Sequence, residues 1–87
     1  MGDARLDVLD YAIQQEPDAP VNYLLRGELW MQAGEHASAW DDLVSARDLA
    51  KKALASSDWG YIYQSYIDRA ERWLHQLENE QVLRNHD

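Results

Sequence analysis

Cysteine is absent from this 87-residue chain, which removes disulfide stapling, thiol chemistry and cysteine-based metal sites together. Positive charge is scarce. Eight Lys and Arg stand against sixteen Asp and Glu, for a formal charge of −8, and the longest basic run is Lys51-Lys52. A surface of that sign disfavours phosphate backbones, so nucleic acid is not an expected partner. No uninterrupted apolar stretch approaches the roughly 20 residues of a membrane span. No signal peptide is visible behind the short polar start Met1-Gly2. A cytoplasmic protein with no membrane association is the default expectation.

Stability must therefore come from packing. A single domain spanning 1–87 is expected, and a domain of this size buries only roughly 60 to 65 per cent of the surface its unfolded chain exposes. Its core must be dense in large side chains. Four Trp and five Tyr supply that density, each ring able to bury about 150 to 250 Å².

Periodicity and punctuation predict four helices, at about 3–16, 19–32, 35–55 and 58–82. Leu6, Leu9 and Ile13 recur at steps of three and four behind a capping Asp3. Pro17 and Pro20 bracket a connector, with Pro20 suited to the first turn of the next helix. Gly34 ends the second helix in a left-handed turn. Ser57 or Asp58 can accept an amide at the start of the fourth, whose stripe includes Trp59, Ile62, Tyr66, Trp73 and Leu77. Residues 83–87 read as a frayed tail. Trp30, Trp59, Tyr66 and Trp73 lie on the main stripes and are expected in the core, whereas Tyr11, Trp40 and Tyr61 fall off them and are candidates for an interface.

Leu9 and Leu43 lie 34 residues apart, as do Ala12 and Ala46. The intervening segment reads Tyr23-x2-Arg26-Gly27-x2-Trp30, then Gly34-Glu35, then Ala39-x3-Leu43-x2-Ala46. These residues resemble the tetratricopeptide repeat (TPR) family, whose unit is an antiparallel helix pair of about 34 residues with aromatic, small and aliphatic positions at set spacings. Tyr23, Gly27, Trp30, Ala39, Leu43 and Ala46 carry the match over one repeat, roughly 20–53, and 3–19 looks like the second helix of a preceding one. The resemblance implies an all-α fold of antiparallel helix hairpins, a fragment of a right-handed α-solenoid. A plain four-helix bundle is the alternative. Gly27 is expected to face Ala39 and Ala46, letting two backbones approach.

Three departures from the family pattern have consequences. Lys51 stands where the repeat-ending proline would be, so the third helix should overrun by about a turn. Arg26 replaces the usual leucine before Gly27. Tyr63 occupies the glycine slot of the fourth helix, which then reads as a cap closing the stack.

The resemblance also implies a concave groove on the first helix of the pair, exposing Val21, Leu24, Glu28, Met31 and Gln32, joined by Lys52. Leu24 and Met31 are equally placed to pack on the fourth helix instead. The function expected is a non-catalytic protein-interaction module holding a peptide or a partner segment. The alternative is a structural domain that forms a homodimer through Leu6, Leu9 and Ala12 of the first helix, which has no preceding helix to cover it. Asp41, Asp42 and Asp48 read as a solvated acidic face or a lure for a basic partner. Glu71 with His75 and Asp68 with Arg72 are candidate surface pairs. His36, His75 and His86 have no metal-ligand spacing, the serines have no evident His and Asp company, and no glycine-rich phosphate loop is present. No metal, cofactor or enzymatic activity is expected.

Overall fold

The computed structural model describes residues 3–85, and its helices are α1 (Ala4–Gln15), α2 (Pro20–Ala33), α3 (His36–Leu54) and α4 (Gly60–Asn85). Among the described residues there is no strand. Local chemistry accounts for each boundary. The Asp3 carboxylate accepts the Arg5 amide at 2.8 Å and caps α1. Pro20 takes the first position of α2, behind Ala19. Gly34, at φ 77°, donates to the Met31 carbonyl while Glu35 donates to that of Trp30, the paired closing bonds of a Schellman ending. No proline interrupts α3 at Lys51, and the helix continues to Leu54 with Lys51 and Lys52 in its last turn, the cationic end favoured by the helix dipole. The Ser57 hydroxyl accepts the Trp59 amide at 3.0 Å just ahead of α4. That helix runs past Val82 to Asn85, so the tail expected from Leu83 onward is helical as far as Asn85; His86 and Asp87 lie outside the described residues.

Helix α2 packs on α3, α3 packs on α4, and α2 also touches α4. Helix α1 packs on α2 alone. The Cα atoms extend over 46 × 33 × 14 Å with a radius of gyration of 13.7 Å, against roughly 12 Å for a compact chain of this length. This is a thin slab, and few side chains are wholly enclosed by it. Leu24 and Leu43 are the large ones, set among Ala39, Ala46, Ala70, Leu74 and Leu77. Tyr23, Trp30, Met31, Tyr66 and Trp73 pack half-buried around that cluster.

The close approach of α2 and α3 occurs at Gly27, but its partner differs from the one expected. A β-carbon on Gly27 would lie 2.9 Å from Leu43 Cγ and 3.4 Å from Asp42 Cβ. Gly27 sits over Leu43, while Ala39 and Ala46, one turn to either side, close around the buried Leu24 cluster. Trp59 is a second correction. It precedes the first turn of α4 and is 58% exposed, with its ring tilted against Tyr61.

Candidate functional site

Two ion-pair clusters join the helices. The Arg26 guanidinium donates from Nε and Nη2 to both oxygens of Asp42, at 2.7 and 2.8 Å, and from Nη1 to Asp10 at 2.9 Å. One side chain of α2 thus ties α3 and α1 together. The fork-to-carboxylate geometry lets a nearly buried Asp42 stay paired, and the hydrogen bonds to Asp42, opposed by partial burial, raise the Arg26 pKa above its ordinary value. Asp42 therefore does not belong to the solvated acidic face assigned to it from sequence; Asp41 and Asp48 are exposed. In the second cluster Glu28 of α2 accepts from Arg69 and from the Trp73 indole, the latter at 2.8 Å. Glu28 raises the Arg69 pKa through the same kind of hydrogen bond. Among the described residues no buried side-chain nitrogen or oxygen lacks a hydrogen-bond partner.

The six residues expected to line one groove are dispersed. Leu24 is fully buried at the junction of α2, α3 and α4 and offers nothing to a partner. Met31 packs half-buried against the same cluster. Glu28 is occupied by Arg69 and Trp73, Val21 is half-buried, and Gln32 and Lys52 are exposed. The reason is geometric: with α4 present, the Leu24 side of α2 faces the interior.

A groove does exist on the neighbouring face of α2, between it and α1. Val8, Leu9, Leu25 and Leu29 form its apolar wall, Arg5, Glu28 and Gln32 its rim, and its volume is about 480 Å³. Val8 is 66% and Leu25 39% exposed. Of the expected set, only Glu28 and Gln32 reach it. Val8, Leu25 and Leu29 were not expected; the available signal was that Ala4, Val8 and Tyr11 follow one another at helical spacing on the side of α1 opposite Leu6 and Ile13. Leu6, Leu9 and Ala12, part of whose surface was expected to stay wet, are half-buried, that side of α1 being packed on α2. The large exposed apolar side chains of α1 are Val8 and Tyr11.

A second recess of about 790 Å³ lies between the start of α3 and the last turns of α4, where His36, Trp40, Asp41, Leu77, Glu78 and Glu80 meet. The two helices run antiparallel there, with His36 Nδ1 3.5 Å from Glu80 and, at the far end, Lys51 3.7 Å from Glu71. His75 lies 3.7 Å from Glu78 and Asp68 accepts from Gln64, so the pairs Glu71 with His75 and Asp68 with Arg72 are replaced by other partners. Among the described residues no group of three His, Asp or Glu is placed to hold a metal ion, and no helix is long and apolar enough to cross a membrane. Comparison with protein-family models, curated proteins and solved structures finds no match.

Proposed function

We propose that this chain is a non-catalytic, TPR-like protein-interaction module whose α1–α2 groove receives a segment of a partner polypeptide. The observation that carries the reading is the apolar wall of Val8, Leu9, Leu25 and Leu29, of which Val8 and Leu25 are exposed and Leu9 and Leu29 half-buried, while the charged groups at its rim are engaged elsewhere. Glu28 is tied to Arg69 and Trp73, and Arg5 to Asp3. A segment placing apolar side chains there displaces water from Val8 and Leu25 without having to break an internal ion pair. The TPR-like reading has independent support in the order of packing, since α2 touches both α3 and α4 as the first helix of a repeat touches its own partner and the next unit. The 34-residue register of Leu9 with Leu43 and Ala12 with Ala46 adds to it.

The test is a photo-crosslinking residue at position 8, with capture from the source cell compared between the parent chain and Leu25→Glu. Both positions are exposed, so the melting temperature should stay within about 2 °C of the parent. A polypeptide captured by the parent and lost with Leu25→Glu supports the groove; equal capture by both eliminates it. The exposure of Val8 and Tyr11 favours a second reading, a homodimer formed through α1. Light scattering across a hundredfold dilution separates the two, because a constant monomer mass removes the dimer.

A further inference from the structure

We propose that the recess between the start of α3 and the end of α4 is an arginine-recognition site, receiving the guanidinium of a basic segment on a partner polypeptide. It lies on the α3–α4 side of the protein and stands independently of the α1–α2 groove. Three observations carry it. Trp40, on the second turn of α3, is 36% exposed and lines the recess, whereas Trp30 and Trp73 pack against the core cluster, so part of an indole is open to the recess. Around it stand Asp41, Glu78 and Glu80, and none of the described lining residues is Lys or Arg. The neighbouring titratable groups are His36, 3.5 Å from Glu80, and His75, 3.7 Å from Glu78. At about 790 Å³ the recess accommodates a long side chain with its flanking backbone.

A planar guanidinium can stack on an indole while its N–H groups reach carboxylates at its edge, which an ammonium does less well. The protein contains an example of this arrangement. Arg26 lies 6.0 Å from the centre of the Tyr23 ring while it donates to Asp42 and Asp10. The recess repeats two of those three parts, an aromatic face and adjoining carboxylates, and none of its described lining residues supplies the cation. The charge of −8 on the chain complements a basic partner and steers its approach.

The experiment is an NMR titration of the ¹⁵N-labelled full chain with the blocked tripeptide Gly-Arg-Gly, and with Gly-Lys-Gly, Gly-Gln-Gly and spermine as comparisons. The expected result is a saturable shift of the Trp40 indole N–H in the millimolar range with the arginine peptide, weaker with lysine and absent with glutamine. Glu78→Gln and Asp41→Asn, both at exposed positions, should each weaken binding roughly two- to fivefold, the factor an exposed charge pair supplies. Trp40→Leu should abolish it in a chain shown by circular dichroism to be folded. An unmoved Trp40 signal, an equal shift with the glutamine peptide, a response to spermine alone, or undiminished binding by the carboxylate variants would overturn the proposal. So would a Trp40 shift that follows protein dilution without any peptide, since the occupant would then be a second copy.

Discussion

Leu9 and Leu43 occupy the same register 34 residues apart, as do Ala12 and Ala46, yet Leu43 and Ala46 are completely enclosed while Leu9 and Ala12 are half-buried. Helix α1 contains no buried residue; α3 contains Ala39, Asp42, Leu43, Ala46 and Ala50. Nothing in the side chains explains the difference. Helix α3 has α2 on one flank and α4 on the other, and α1 has α2 alone. Burial here follows from the second neighbouring helix, so identical residues contribute unequally by position. What fastens α1 beyond Leu6, Leu9 and Ile13 is mostly polar and peripheral. Asp10, half-exposed, pairs with Arg26, and the Tyr23 hydroxyl donates to the Pro17 carbonyl at 2.8 Å.

The widest separation is expected from truncating the two equivalent leucines. Leu43→Ala should cost about 3 kcal/mol or unfold the chain, through lost burial plus a cavity that the surrounding alanines cannot close. Leu9→Ala should cost about 1 kcal/mol, because half of its surface is already wet. Urea titrations followed by circular dichroism give both values, and equal losses would erase the contrast. Next come the two carboxylates that share Arg26. Asp42→Ala removes a nearly buried partner but leaves Arg26 part-solvated and still bound to Asp10, so a loss of about 2 kcal/mol is expected. Asp10→Ala, at a half-exposed pair, should cost less than about 0.5 kcal/mol. A larger effect at Asp10 would make α1 a principal element of the fold. Between the two carboxylate variants falls Gly27→Ala. The added methyl, 2.9 Å from Leu43 Cγ, opposes a helix-propensity gain of roughly 1 kcal/mol, and a net loss of about 1 kcal/mol is expected from the overpacking. A gain in stability would show that α2 and α3 separate easily.

The helices and their ends were legible because each rests on local chemistry: the Asp3 cap, Pro20 at the first position, Gly34 in the left-handed region, and the absence of proline at Lys51 that lets α3 continue. The four-helix all-α arrangement follows from them. Side-chain destinations depended on which helix lies opposite, and that is not local information. Leu24 could be assigned to a groove or to α4 on equal terms, and the interior claims it. Arg26 stood out as polar in a leucine position, yet its partner Asp42, sixteen residues away, read as one member of an exposed acidic run. Trp59 fell on the apolar stripe of α4, and only the three-dimensional arrangement shows that the stripe begins at a largely exposed position. The uncovered groove was illegible for the same reason: Val8 and Leu25 come together only when α1 is laid on α2.

Helices α2, α3 and α4 pack on one another, and α1 is attached to α2 alone, leaving the α1–α2 groove open. Native-state amide hydrogen exchange, resolved by residue, tests this most directly. The amides of Val8 to Ile13 should open at a free energy at least about 2 kcal/mol below those of Leu43 to Ala50, with α2, α3 and α4 exchanging together. Equal protection of α1 and α3 would contradict the account, since it would mean that α1 belongs to the same cooperative unit as the core.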